Sequence, residues 1–405
     1  MPHNLLHRGI TFFLPAGLLF LLIALLSEHE ASAARLSSLA DIYYYVAVSF
    51  ALLLGWRFDR SLLVFTTVVI ALAIWLLNHY GARGDAIGRI VTDVVAVLLP
   101  LNLLLITLRK ERGTFTLRGL LCWAIILVQV LSIWLLFHYQ RYDWLGLVDS
   151  TFISSTTLED LKLHQPALLA FAAALLVSGY RAIRKQHNPL ENAIFWATAL
   201  LLYTLLQGYA TALTTALFSS ALLILIVAVL EISYTMAFRD ELTGLTGRRA
   251  LNQALLKLGH RYTIAMLDID HFKKFNDSYG HDVGDDALQM VAMKMSQITG
   301  GGKVYRYGGE EFTALFPGKD TDSAWPHLEL LRENIANSGF TVREKRRPGE
   351  KPEKARKGSD KQVQITVSIG IAERKGDIRD PEAVIKAADK ALYKAKKAGR
   401  NRVAS

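Results

Sequence analysis

The chain has 405 residues, of which 52% are apolar, and a formal net charge of +10. A single cysteine, Cys122, excludes a disulfide framework and a cysteine-ligated metal. The positive charge is not the basic face of a nucleic-acid binder: residues 343–361 hold nine basic and four acidic side chains in one Pro/Gly-broken segment, and much of the remainder flanks apolar runs.

Composition divides the chain at about residue 230. Apolar stretches recur at 10–26, 39–54, 62–77, 91–108, 120–137, 167–180, 193–206 and 210–230, several of them near the roughly 20 residues needed to cross a bilayer. From Asn192 to Leu230 there are 39 residues without a charge, which as one helix would measure roughly 58 Å. That is about twice the hydrocarbon thickness, so the stretch is expected to turn near Gln207-Gly208. The sequence therefore predicts an all-α polytopic membrane domain over 1–230 with eight spans and a short connecting helix over 231–239.

Basic residues orient it. With the N-terminus inside, cytoplasmic segments carry Arg8, Arg57, Arg60, Arg109, Lys110, Arg112, Arg118, Arg181, Arg184 and Lys185. The outer segments carry half as many: Arg35, Arg83, Arg89, Arg141 and Lys162. Ala31-Ser32-Ala33 resembles a signal-peptide cleavage site, but the long apolar run and the single leading Arg8 favour an anchored span. Cleavage would leave seven spans, and the C-terminal half is cytoplasmic on either reading. An inner-membrane protein is expected. Intramembrane Gln129, Asp93 and His79 receive no function, and the sensed ligand is not named by the sequence.

Residues 240–405 read as a compact α+β domain. A turn over 240–249 leads into a helix through about Leu258, and the apolar strand 262–267 ends in Asp268-Ile269-Asp270. A helix lies within 281–298, a hairpin surrounds Gly308-Gly309, and a second amphipathic helix covers 322–338. Strands at 340–342 and 363–371 flank the basic insertion, and Pro381 opens a last helix through about Lys397. The order suggests a ferredoxin-like antiparallel sheet with flanking helices on one side. At the hairpin, two adjacent glycines between β-prone runs predict a tight turn with both central residues at positive φ.

The chemistry-bearing residues cluster in these elements. A carboxylate at a strand end, Asp268, and another just past a turn, Glu310, suit Mg²⁺, which uses one or two protein carboxylates and takes its remaining ligands from water and phosphates. Glu310 and Glu311 alternate in direction and do not serve one site equally. Asp270 is a second metal candidate or a structural acid. Lys273 can neutralise phosphate charge, and Lys396 and Arg400, four apart, can clamp a triphosphate. Asn276 and Asp285 offer an amide and a carboxylate, the donor and acceptor set that reads a guanine edge.

Five segments, in order, carry a resemblance: DELTGLTGRR, LDIDHFKKFNDSYGHDVGDDAL, RYGGEEF, ITVSIGIA and ADKALYKAKKAGRN. Residues 240–401 resemble a GGDEF-family diguanylate cyclase catalytic domain, in its GGEEF variant. The resemblance implies a nucleotidyl-cyclase palm that joins two GTP into cyclic di-GMP and two pyrophosphates, one GTP held by each domain of a homodimer. It also implies Mg²⁺ (or Mn²⁺) on Asp268, Glu310 and the Ile269 carbonyl, with Glu310 deprotonating the 3′-hydroxyl and Glu311 a second metal-site acid. The His271 and Phe272 amides with Lys273, Lys396 and Arg400 would hold the triphosphate beside Gly308 and Gly309. Asn276 and Asp285 would read guanine, with His281 on the same site.

Two departures accompany the match. Where the family often carries an Arg-x-x-Asp product site, this chain has Thr299-Gly300-Gly301-Gly302, so no inhibitory product site is expected. Gly247 stands where the family usually has Asn, and glycine remains an acceptable N-cap. An inactive GTP or cyclic di-GMP receptor, and a transporter with a cyclase appendage, are the competing readings. Intact Asp268, Glu310 and Lys273 argue against the first, and the lack of paired broken helices against the second.

Overall fold

The computed structural model describes residues 12–81, 86–109, 111, 113–139, 150, 152, 162–184, 188–208, 211–342, 361–375 and 380–405. The outer segment that carries Arg141 and Lys162 falls mostly outside them, and the basic insertion does so except for Lys361. Chain contacts divide the protein into Met1–Ser233 and Tyr234–Ser405.

The first unit is helical: α1 (Ala16–Glu28), α2 (Glu30–Ser38), α3 (Ala40–Arg57), α4 (Ser61–His79), α5 (Ala86–Leu108), α6 (Leu117–His138), α7 (Gln165–Arg184), α8 (Pro189–Leu206) and α9 (Thr211–Phe238). Six of these, α4 to α9, are long and apolar enough to cross a membrane, and the pair α1 and α2, bent by 101°, makes a seventh if counted as one span. The long uncharged stretch breaks where its length requires: α8 stops at Leu206, Gly208 takes φ +88°, and α9 begins at Thr211.

Helix α9 is the most enclosed, with 78% of its apolar window buried, while α6, with 17%, lies at the periphery. Several polar side chains inside the bundle bond to one another, which suits an apolar surrounding. Asn78 exchanges hydrogen bonds with Thr215 of α9, and Tyr43 donates to Ser220 at 3.1 Å. Gln129 and Asn102 form a reciprocal amide pair at 2.8 and 3.1 Å. Asp93 meets His164 at 3.1 Å, and His79 stacks on Trp75. Gln129, Asp93 and His79 thus all have protein partners.

In the second unit the elements are β1 (Thr246–Gly247), α10 (Arg248–Leu256), β2 (Tyr262–Ile269), α11 (Phe272–Tyr279), α12 (His281–Met295), β3 (Lys303–Arg306), β4 (Glu311–Pro317), α13 (Thr321–Ala336), β5 (Gly339–Val342), β6 (Lys361–Gln364), β7 (Val367–Glu373), α14 (Pro381–Lys397) and β8 (Val403–Ala404). Six strands form one sheet in the order β1-β3-β4-β2-β7-β8, and β5 pairs only with β6. The centre is antiparallel as expected, but the sheet is mixed. Two-residue edge strands, too short to carry a sequence signal, add parallel pairs β1–β3 and β7–β8.

Helices cover both faces, not one. Ala265, Leu267 and Ile269 of β2 pack with Phe272, Leu288, Val291 and Leu328 of α11, α12 and α13. On the opposite face Ile264 joins Leu251 of α10 and Val384 of α14, and Met266 meets Ala388 and Leu392. Burial on both sides is why β2 reads as a continuous apolar run. Helix α14 approaches the sheet closely at Gly370, where an added Cβ would lie 2.0 Å from the Leu392 nitrogen and 2.2 Å from the Ala388 carbonyl oxygen.

Candidate active site at the end of the central strand

Strand β2 alternates faces, so Asp268 shares the α14 side with Ile264 and Met266. Lys396, on the last turn of α14, therefore reaches it: Nζ lies 2.8 Å from Oδ1 of Asp268, whose side chain is 8% exposed. Burial pushes the Asp268 carboxyl above the usual carboxylate range, with Lys396 acting against it. Directly across the ladder stands Glu311, and the Ile269 amide bonds the Glu310 carbonyl at 3.4 Å. Glu310 is likewise raised, first by burial and then by Asp268, while Lys396 opposes the shift. Asp268, Glu310 and Lys396 thus form one coupled group. The Glu311 carboxylate turns back into the hairpin, since a Cβ on Gly308 would lie 3.3 Å from its Oε2.

The glycine turn differs from expectation. Glu311 N donates to the Gly308 carbonyl, so the central residues are Gly309 and Glu310, and neither glycine nor Glu310 has a positive φ. The glycines are not required by backbone conformation. A Cβ on Gly309 would meet nothing within 4 Å.

What fixes this turn is a residue the sequence reading left without a role. Arg306 donates through Nε and Nη2 to the Gly309 carbonyl at 3.2 and 2.7 Å, and through Nη1 to Asp240 at 2.6 Å. The same Asp240 oxygen accepts from Thr243 N and Oγ1. Burial raises the Asp240 carboxyl, but the Thr243 and Arg306 bonds together outweigh it and hold it below its ordinary value. Both residues lie in quoted motifs, but 66 positions apart no local pattern pairs them.

Asp270 resolves as a structural acid. It accepts from Thr366 Oγ1, Ser368 Oγ and the Asn401 amide at 2.8, 2.6 and 3.0 Å. These bonds hold the segment after α14, where Arg400 and Asn401 take φ +64° and +43°. Arg400 acts on Asp268 from there, opposing in small part the upward shift that burial imposes.

The remaining sequence candidates sit on α11 and α12. His271 caps α11 in the left-handed region at φ +58°, Phe272 is buried and Lys273 is exposed. Asn276, with a buried and unbonded Oδ1, faces Gly284, the residue before Asp285. His281 opens α12 and is exposed. Among the described residues no hydrogen bond or ion pair joins Lys273, Asn276, His281 or Asp285 to the Asp268 group.

No three His, Cys, Asp or Glu side chains among the described residues are grouped as a closed metal cage. Two adjacent carboxylates, Asp268 and Glu310, suit instead a hard cation that completes its shell with water and substrate oxygens.

Residues 237–402 match the family model for the diguanylate cyclase GGDEF domain. The response regulator PleD of Caulobacter vibrioides is 35% identical over 182 residues, 43% of this chain and 37% of that one. Diguanylate cyclase VdcA of Vibrio cholerae is 40% identical over 172 residues, 41% and 46% respectively. The chain therefore spans less than half the length of these relatives. The solved GGDEF domain of DgcB from Caulobacter crescentus, crystallised with c-di-GMP, is 34% identical over 42% of this chain and 92% of that one, with a TM-score of 0.36. Residues 237–402 are thus a GGDEF domain of the diguanylate cyclase family.

Proposed function

We propose that this protein is a membrane-bound diguanylate cyclase that condenses two GTP into cyclic di-GMP and two pyrophosphates. The observation that carries the proposal is the coupled group Asp268, Glu310 and Lys396 at one strand end. Asp268, Glu310 and the Ile269 carbonyl would hold Mg²⁺ (or Mn²⁺), which supplies charge neutralisation at the phosphates and a lower pKa at the attacking hydroxyl. Glu310, whose carboxyl is raised by burial and then by Asp268, accepts the 3′-hydroxyl proton of one GTP. That oxygen forms a bond to the α-phosphorus of the second GTP, the bond to the β-phosphate oxygen breaks, and pyrophosphate leaves. The same exchange in the opposite sense closes the ring.

Lys396 exchanges its carboxylate partner for a phosphate oxygen and, with Arg400, Lys273 and the His271 and Phe272 amides, orients the triphosphate. Glu311 is a second metal-site acid. Asn276 and Asp285 read guanine beside His281, and Gly308 and Gly309 leave room for the nucleotide. One GTP per domain requires a homodimer, and Thr299–Gly302 supplies no product site. The N-terminal unit is read as eight spans with both ends of the domain cytoplasmic in a bacterial inner membrane, transmitting a signal that sets the dimer. The test is full-length protein in nanodiscs with GTP and Mg²⁺, with cyclic di-GMP read by mass spectrometry and pyrophosphate release counted. A dimeric preparation that binds GTP and forms neither product refutes the enzyme.

A further inference from the structure

Helices α11 and α12 cross at a point where one side chain has no room to spare. An added Cβ on Gly284 would stand 1.8 Å from Oδ1 of Asn276 and 2.9 Å from its Cγ, yet 3.4 Å from Phe272 Cζ, an ordinary contact. The Asn276 Oδ1 that fills this space is buried and accepts no hydrogen bond. Two facts about Gly284 need explaining together. It is buried within a helix, where alanine is the better helix former, and its φ is not positive, so its backbone does not require glycine. Of the atoms nearest that Cβ, only those of the Asn276 amide would be displaced.

From this we infer that Gly284 is a positioning residue for the base-reading amide: the missing Cβ is the seat in which Asn276 Oδ1 rests, leaving the other end of the amide to meet the nucleotide. The inference builds on the reading of Asn276 as a guanine contact. Because the clashing atom is the end of a rotatable side chain, Gly284→Ala turns the amide away and leaves the crossing of α11 and α12 intact. Stability and nucleotide recognition therefore separate: the fold tolerates the methyl group and the base site does not.

The experiment is a double-mutant cycle on the full-length protein with Gly284→Ala, Asn276→Ala and both together, measuring KM and kcat for GTP, equilibrium GTP binding, and thermal melting. Gly284→Ala is expected to raise the GTP KM about tenfold, the worth of one amide hydrogen bond, with kcat nearly unchanged and the melting temperature equal to or above wild type. In the Asn276→Ala background the same substitution is expected to add nothing, because the atom it displaces is gone. A KM within twofold of wild type overturns the inference, as does full additivity with Asn276→Ala. Loss of folding in Gly284→Ala overturns it too, since the amide and not the backbone must yield. Wild-type protein that binds GTP without turning it over refutes the cyclase reading, and the binding arm of the cycle still decides the role of Gly284.

Discussion

Replacing Asp240 by Asn isolates what holds the glycine turn in place. Asparagine keeps an oxygen for Thr243 N and Oγ1, at 2.9 and 2.6 Å in the native protein, so the local turn at 240–245 survives. What changes is the bond from Arg306 Nη1, 2.6 Å long between side chains only 14% and 24% exposed. Converting a charge-assisted bond to a neutral one there costs about 1–2 kcal/mol. Arg306→Ala goes further. It removes both contacts to the Gly309 carbonyl and strands a largely buried carboxylate, for about 2–4 kcal/mol. At about 1.4 kcal/mol per tenfold, opening of the turn becomes roughly tenfold more frequent in the first variant and a hundredfold in the second.

Hydrogen exchange over residues 306–312 reads this directly, because Tyr307 N and Gly308 N both bond the Glu311 carbonyl. The kcat is expected to fall in the same order, with the GTP KM little changed, since a misplaced Glu310 affects reaction geometry more than binding. Acid should erase the difference between wild type and Asp240→Asn. A carboxyl held below its ordinary value contributes stability above the usual carboxylate range and loses it as pH falls through its folded pKa. Unchanged exchange at 306–312 in Arg306→Ala would refute the reasoning, whatever the activity did.

Glu310→Gln should lower kcat by at least about a hundredfold while slightly raising the melting temperature at neutral pH. A carboxyl with a raised folded pKa loses stability as pH rises through that value, so the gain should shrink on acidification, and a variant less stable at pH 7 would contradict the assignment. Cyclic di-GMP added at micromolar concentration should leave initial rates unaltered, because the loop at Thr299–Gly302 offers glycines and a Thr299–His327 hydrogen bond in place of charged ligands; suppression of the rate would expose a product site elsewhere. Gly370→Ala should destabilise the cyclase domain by roughly 3 kcal/mol or more, since a methyl group 2.0 Å from a backbone nitrogen pushes α14 off the sheet; a soluble, active variant with wild-type melting would show that α14 can shift freely.

Much of this was legible in the residues because length and period fix it. The uncharged 192–230 stretch had to break, and it breaks at Gly208. Strand β2 and its terminal acid were visible as an apolar run ending in Asp268. Helix α11 was not, because Phe272–Tyr279 spans barely two turns and mixes aromatic with polar residues. The single strand read at 363–371 divides instead at Ile365-Thr366, where the Thr366 carbonyl leaves the ladder to accept from Asp270 N. The roles of Asp240, Arg306 and Asp270 depend on partners 66 to 131 positions away. Two glycines implied a conformation they do not adopt, since the turn centres one residue later than the pair.

The departures from local preference gather at one end of the sheet. Of the four described non-glycine residues with positive φ, three (His271, Arg400 and Asn401) flank the Asp268 group, and each left-handed residue costs about 1–3 kcal/mol. Asp268 and Glu310 are held in surroundings that disfavour their charge, and Asn276 keeps an unbonded buried oxygen. Such costs persist only where the surrounding structure over-determines them. Here Asp270, with three donors on one carboxylate, ties β7 to the segment carrying Arg400, and β2 is packed on both faces behind it. Asp270→Asn should therefore act at a distance from any phosphate. It weakens the anchor of Asn401, lets Arg400 relax toward negative φ, and draws that proposed triphosphate ligand away from Asp268 without substituting it, which a raised GTP KM would report.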